Sequence, residues 1–204
     1  EEEVTQPDRP TQWGTLQPGD LKYADLSGPE GAPDGVINTD DRTIIGNPFP
    51  RYSYSFNFGG SFHGFDLYAF FQGVDDVDRI NWYNTENRGT FTSSILGYWT
   101  PENRDATFPR LGNAQNNTVG SAFSDFWVTD ASYLRLKNLE VGYTIPQELS
   151  SKIKLERARI FYSGTNLLTW TAVTEFDPEK PAQDQRNTTF PTNRSHSIGL
   201  SLTF

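Results

Sequence analysis

The chain has 204 residues, a formal net charge of −9 and no cysteine. This length suffices for one domain with its own core. The acidic balance argues against nucleic-acid binding, which needs a basic surface, and the lack of cysteine excludes disulfides and thiolate metal sites. No apolar run approaches the roughly 18 residues of a transmembrane helix. Aromatic residues make up 14% of the chain, and helical periodicity is nearly absent. We therefore predict an all-β fold with long loops.

The first 50 residues are predicted to be a loop, and a β-hairpin follows them. From Tyr52 to Phe58, aromatic residues alternate with serine and asparagine, which is the period of a strand. After a tight turn at His63–Gly64, the alternation continues from Phe65 to Gln72. Two alternating runs separated by two turn residues predict an antiparallel pair.

Residues 73–130 show no sustained period and are predicted to be a long loop. A third strand is predicted from Tyr133 to Ile145, because Leu139, Val141 and Tyr143 alternate with polar residues until Pro146. The remaining predictions are a helical turn at 147–154, a strand at 156–169 with poor alternation near Phe161, a loop at 171–191 and a last strand at 197–204.

The predicted connections sort by length. Suppose that the chain is part of a transmembrane β-barrel and that Phe204 lies at its periplasmic end. Both short connections, 63–64 and 146–155, then fall on the periplasmic side, and segments 1–50, 73–130 and 171–191 fall on the extracellular side. Transmembrane β-barrels have this asymmetry, with short periplasmic turns and long extracellular loops. A soluble β-sandwich has no reason to show it. About five strands cannot close a barrel, since the smallest have about eight, so the other strands must come from elsewhere.

An ordered set of motifs resembles one family. From about residue 18 to the end, the chain is similar to the SusC/RagA family of TonB-dependent outer-membrane transporters. The similar stretches are Gly19–Asp25, Asp34–Pro48, Phe65–Gly73, Trp99–Leu111, Tyr133–Pro146 and Ser163–Thr169.

The resemblance implies an antiparallel barrel of about 22 strands, of which this chain supplies about five C-terminal strands. Residues 1–50 would be an extracellular loop and 51–204 the barrel strands and loops. The implied location is the bacterial outer membrane, with the loops extracellular. The implied partners are a SusD-like surface lipoprotein, the TonB complex through a missing N-terminal part, the rest of the barrel and lipid. The substrate would be an oligosaccharide or a peptide.

Aromatic residues in the loops are candidate substrate contacts. Trp82, Tyr83, Trp99 and Trp127 offer ring faces of the kind that sugars stack on. The alternative is that they pack against neighbouring loops or the partner lipoprotein.

The acidic segment from Asp34 to Asp41 resembles the second half of an EF-hand-like calcium loop, with Gly35 allowing the sharp turn. By the resemblance, Asp25 and Ser27 would be the first ligands, followed by Asp34, Asn38 and Asp41. An insertion, 29–33, breaks the 12-residue spacing, so an acidic turn without metal is the alternative. Ca²⁺ is the one cofactor that the sequence suggests.

The last residues resemble the C-terminal signal that barrel-assembly machinery reads, through Ser197, Gly199, Leu202 and Phe204. No phosphate-binding loop, nucleophile elbow or His-Glu motif is found. We therefore expect a transport protein rather than an enzyme. A secreted or surface carbohydrate-binding β-sandwich module is the alternative function.

Overall fold

A computed structural model of the chain describes residues 6–80, 96–111, 124–174, 176–181 and 189–204. The described part is built mainly from strands. They are β1 (Tyr52–Phe62), β2 (Phe65–Asp75), β3 (Asp78–Ile80), β4 (Val128–Asp130), β5 (Tyr133–Thr144), β6 (Arg157–Thr171) and β7 (Ser195–Thr203). One short helix, α1 (Gln147–Ser150), is followed by a 3₁₀ turn at Ser151–Ile153, and two other 3₁₀ turns lie at Thr39–Asp41 and Asp125–Trp127. No helix in these ranges is long and apolar enough to cross a membrane.

Five long strands form one antiparallel sheet in the order β1-β2-β5-β6-β7. The β1–β2 ladder runs without interruption from the Tyr52–Asp75 pair to the Phe62–Phe65 pair. His63 and Gly64 form the turn, with φ angles of 48° and 86°. Two successive positive φ angles match the right-handed twist of the flanking strands, so this two-residue turn fixes the register of the hairpin.

Two irregularities interrupt the ladders of β5. The pairing with β2 shifts between Phe70 and Phe71, and the pairing with β6 shifts between Leu136 and Asn138. Relative to β2, Lys137 is an extra residue in β5. Relative to β6 the extra residue lies in β6, where positions 166 and 167 face Lys137 and Asn166 has a φ of 53°. A bulge bends its strand and redirects side chains, and this one lies beside the charged cluster described below.

The two ends of the sheet differ in their connections. At the end that we call the turn end, His63–Gly64 joins β1 to β2, and α1 with its 3₁₀ turn joins β5 to β6. At the opposite loop end, long connections join β2 to β5 and β6 to β7. The predicted sorting of short and long connections is therefore confirmed.

The prediction of a featureless segment from 73 to about 130 is wrong in two places. The strand β2 continues to Asp75, and β3 and β4 pair as a small two-stranded sheet. Three-residue strands are too short to show an alternation, so they could not be predicted from the periodicity of the sequence.

The chain divides into two compact units. One contains Glu1–Gly46 and Ile80–Val128, and the other contains Asn47–Arg79 and Thr129–Phe204. In the first unit the rings of Trp13 and Tyr23 lie 4.9 Å apart. The second unit contains the five-stranded sheet, and a small apolar cluster of Val77, Ala131 and Val173.

Candidate functional site

One face of the five-stranded sheet, the apolar face, carries large apolar side chains that remain exposed. Phe58 is 52% exposed, Leu200 68% and Ile198 79%. The exposed members of this face are Tyr52, Tyr54, Phe56, Phe58, Phe62, Phe65, Leu67, Val141, Ile160, Leu168, Trp170, Ile198, Leu200 and Leu202. Contiguous apolar surface of this extent marks a membrane or protein contact rather than a surface that meets water.

The opposite, polar face carries serine, threonine and asparagine with two charged clusters. Near the turn end, Arg159 of β6 donates from Nε to Asp66 Oδ2 of β2 at 2.9 Å and from Nη2 to Glu140 Oε1 of β5 at 2.7 Å. Its guanidinium crosses the backbone of β5 at Gly142, where a Cβ atom would lie 2.5 Å from Arg159 Cζ. Three strands are thus tied together on this face by one cation.

The second charged cluster lies toward the loop end and is centred on Arg135 of β5, which is only 4% exposed. Its Nε donates to Thr169 Oγ1 at 2.8 Å and its Nη2 to Asp177 Oδ1 at 2.8 Å, while Nη1 lies 3.3 Å from Glu179 Oε2. Lys137, the bulged residue, bonds the same Glu179 carboxylate at 3.0 Å. The bulge therefore brings a second cation to this cluster.

Asp177 is held in its ionised form. Burial alone would raise the pKa of this carboxyl, but hydrogen bonds from Arg135 and from the backbone of Glu179 and Thr192 outweigh it and lower the pKa to about 2.

The terminal strand places its four predicted signal residues on both faces. Ser197 and Gly199 pair with Ser163 and Phe161 on the polar face. Leu202 belongs to the apolar face, and Phe204 follows the last strand residue and is exposed. At Gly199 a Cβ atom would lie 2.7 Å from Cε1 of the Phe161 ring. Because Gly199 has no side chain, the Phe161 ring can lie across β7 at this position. Whether these residues act as an assembly signal stays a prediction.

The four predicted aromatic contacts have different surroundings. Trp82 and Tyr83 lie outside the described residues. Trp127 is 5% exposed, with the ring of Phe126 4.8 Å away, an environment typical of packing. Trp99 is half-buried and lines a cavity of about 150 Å³. The ring of Trp99 lies against Gly19, whose φ is 85° and whose missing side chain leaves room for it.

The predicted calcium residues form a compact hydrogen-bonded turn. Asp25 accepts from the backbone of Gly35 at 2.7 Å, and Asp41 accepts from Leu26 at 2.7 Å and from Asn38 at 2.8 Å. Backbone hydrogen bonds, first from Asn38 and then from Ser27, lower the pKa of Asp41. Ser27 and Asp34 belong to the same turn, where Asp34 accepts from Val36 at 2.9 Å.

The fit of this turn to a metal is limited. Within the ranges that the structure describes, no group of three or more His, Cys, Asp or Glu side chains is arranged to hold a metal ion. The carboxylates are instead engaged by backbone N–H groups, and a calcium ion would have to share their oxygens with these donors. Calcium binding stays a prediction.

The sequence analysis did not identify the two charged clusters on the polar face. One signal was available: Asp66, Glu140 and Arg159 stand at strand positions whose neighbours along the chain are apolar or aromatic. Charges at such positions on adjacent strands face each other when the register is known. Asp177, the hydrogen-bonded carboxylate partner of Arg135, lies 42 residues away in a loop and carries no comparable signal.

The chain is similar in sequence to TonB-dependent receptors. No protein-family model matches the chain. The chain is 31% identical over 201 residues to TonB-dependent receptor P26 and 32% identical over 205 residues to TonB-dependent receptor P3, both of Formosa agariphila. These alignments cover 91% and 94% of this chain and 20% of each relative.

Solved structures of the RagAB system match the fold over most of this chain. The RagAB peptide importer in the open-open state matches with a TM-score of 0.63 and 27% identity over 86% of this chain. The RagAB peptide transporter matches with a TM-score of 0.63 and 29% identity over 82% of this chain. The matches cover 20% and 19% of those chains. The chain therefore spans about a fifth of the length of the relatives it matches.

Proposed function

Since the chain belongs to the TonB-dependent receptors of the SusC/RagA type and its sheet corresponds to part of their β-barrel, we propose that it forms C-terminal wall strands and extracellular loops of a nutrient transporter in the bacterial outer membrane. The observation that carries this proposal is the two-faced sheet. Its apolar face is exposed where lipid would lie, and its polar face has buried and paired charges, as the interior of a barrel can.

The alternative of a carbohydrate-binding β-sandwich is disfavoured by the same observation. A sandwich buries the apolar faces of two sheets against each other at a spacing of about 10 Å. Among the described residues there is one large sheet, and nothing packs over the middle of its apolar face. This face would therefore leave Phe58, Ile198 and Leu200 in water.

We propose that transport requires the further components that the family resemblance implies. These are a SusD-like surface lipoprotein over the extracellular side, the TonB complex acting through a plug outside this chain, and barrel strands that pair with β1 and β7. The pairing removes the two open edges, which are not tolerated in lipid. The RagAB structures are those of a peptide importer, which supports peptides as one substrate class. Oligosaccharides are the other. No catalytic role is proposed.

Trp99 is the predicted aromatic residue best placed to touch a substrate. The cavity beside it is also lined by Gln12, Asp20 and Tyr23, so a ring face is combined with hydrogen-bonding groups. Its volume is below the roughly 300 Å³ of ordinary small-molecule pockets, which limits the contact to one side chain or one sugar ring of a larger ligand. Trp82 and Tyr83 remain proposed contacts from sequence. Trp99→Ala should weaken binding of the peptide or oligosaccharide substrate to the full-length protein. Trp170→Ala, on the apolar face, is the control and should leave that binding unchanged.

The proposed function is tested on the full-length protein that carries this chain. We expect it in the outer-membrane fraction, with faster migration on gels when unboiled than when boiled. Deleting its gene should abolish growth on either a peptide mixture or an oligosaccharide mixture, and deleting the TonB gene should do the same. A water-soluble protein with no difference between boiled and unboiled samples would contradict the proposal.

A further inference from the structure

Part of the connection between β6 and β7 folds back onto the polar face of the sheet. We call this part, the described residues 173–174 and 176–181, the inner loop. Asp177 and Glu179 of this loop meet Arg135, whose guanidinium is almost fully removed from water. Removing the partner of a buried charge is strongly destabilising, because the remaining charge is left without compensation. Arg135 therefore needs the inner loop in this position, and the loop is fixed by the same pairing.

Further contacts fix the inner loop on both sides. Asp177 Oδ2 accepts from the backbone N–H of Thr192 at 2.7 Å, which ties together the two limbs of the β6–β7 connection. Phe176 packs against the apolar cluster that contains Val77 and Ala131. Within the loop, Lys180 is 4% exposed, with its Nζ 4.0 Å from the centre of the Phe176 ring. Val173 packs with Val77 and Ala131 at the end of the sheet. These contacts are charged, aromatic and apolar, so the loop has several independent attachments.

The inner loop occupies space over the polar face of the sheet, at its loop end. The loop lies on the polar face, because Arg135 reaches it from the same side as Thr169 and opposite the apolar residues. If this face lines the lumen of the barrel, which is the function proposed above, the loop takes up part of the cross-section near the extracellular end. A loop with this many buried contacts is not a mobile lid.

From this geometry we propose that the inner loop is a fixed wall element that narrows the passage and restricts the size of the molecules that reach the polar face below it. Arg135 is its positioning residue. The inference rests on the proposed function and adds a size-selective element to it. It also assigns different tasks to the two charged clusters: the cluster at Arg159 ties strands together, and the cluster at Arg135 holds a loop.

The test measures access to a residue below the loop. Asn138 lies on the polar face, is exposed, and pairs with Phe70 and Thr165 farther from the loop end than Arg135. In the purified full-length protein, Asn138→Cys is reacted with a small maleimide and with a maleimide on a polyethylene glycol chain. The protein without this substitution gives the background. The ratio of the two labelling rates reports the size limit.

We expect Arg135→Met to raise the labelling rate with the polymer reagent several-fold and the rate with the small reagent little. Amide hydrogen exchange in the inner loop should rise about tenfold or more in the same variant. Arg159→Met is the matched control, since it removes a cation from the same face without touching the loop, and it should leave the ratio unchanged. Should Arg135→Met fail to assemble, Glu179→Gln replaces it with the same expectation.

An unchanged ratio in Arg135→Met would overturn the inference, as would the same change in Arg159→Met or a failure of the small reagent to reach Asn138→Cys. The labelling results test the inference in protein that is found in the outer-membrane fraction and shows heat-modifiable migration. With these two properties present, the proposed function stands whatever the labelling ratio. Loss of both properties in the unsubstituted protein would instead refute the proposed function.

Discussion

Replacing Gly199 by alanine tests how the last strand is packed. The added Cβ atom would lie 2.7 and 2.8 Å from Cε1 and Cε2 of Phe161, about 1 Å inside ordinary carbon–carbon contact. The ladder pairs these two residues directly, so the ring has to turn away. Overpacking of this kind costs about 1–3 kcal/mol. The ring also covers the Arg159 guanidinium at 4.8 Å, a contact of about 0.5–1 kcal/mol.

The gain in backbone stability from Gly to Ala, about 0.5–1 kcal/mol, offsets part of this cost. We therefore expect Gly199→Ala to lower the free energy of unfolding by about 1–3 kcal/mol, measured by urea unfolding of the full-length protein in lipid bilayers. Gly60→Ala is the matched control, because nothing lies within 4 Å of its added Cβ atom. It should be neutral or slightly stabilising.

The double variant Gly199→Ala with Phe161→Leu separates packing from recognition by assembly machinery. If the glycine serves the ring, the double variant should recover most of the stability lost in Gly199→Ala, with a coupling energy of about 1 kcal/mol or more. Equal losses in Gly60→Ala and Gly199→Ala, or additive effects of the two substitutions, would refute the steric reasoning. Normal stability in the bilayer with poor assembly in cells would favour the predicted assembly signal instead.

Three further predictions concern the two faces and the loops. Ile198→Arg on the apolar face should reduce bilayer stability by about 2–4 kcal/mol, whereas Ser197→Arg on the polar face should have little effect, as urea unfolding would show. The Asp177 carboxyl has its pKa lowered from 3.8 to about 2, so its contribution of about 2 kcal/mol is present above about pH 4 and is lost as the pH falls through 2. Hydrogen exchange of the inner loop should rise over that range, and Asp177→Asn should remove the dependence. If the acidic turn binds calcium, millimolar Ca²⁺ should raise the melting temperature in the unsubstituted protein and not in Asp41→Asn, and no shift in either would reject the site.

The long strands could be predicted because their pattern has a physical cause. A strand with one apolar and one polar face has a period of two, and a slip of one residue would exchange its faces. The alternations from Tyr52 to Phe58 and from Phe65 to Gln72 therefore indicated both the strands and their pairing at the His63–Gly64 turn. The predicted start of β5 at Tyr133 agrees with the structure, and its predicted end at Ile145 is one residue beyond the observed Thr144.

The features that the sequence did not indicate depend on long-range contacts. The apolar positions of β5 change from Leu134 and Leu136 to Leu139 and Val141 in the sequence, but the bulge at Lys137 is identified only once the pairing of β5 with β2 is known. The poor alternation near Phe161 is explained by its place opposite Gly199, where an aromatic ring on the polar face fills the space of the missing side chain. The inner loop is held by residues far apart in the chain, and no local pattern points to Arg135 as its anchor.

Fluorescence quenching by lipid tests whether the apolar face contacts lipid and the polar face does not. Single cysteines at Leu200 and Val141 on the apolar face, and at Ser201 and Ser163 on the polar face, carry an environment-sensitive fluorophore in the full-length protein, reconstituted in bilayers with brominated lipids. We expect strong quenching at Leu200 and Val141 and weak quenching at Ser201 and Ser163. Equal quenching on both faces, or none at Leu200 and Val141, would contradict it.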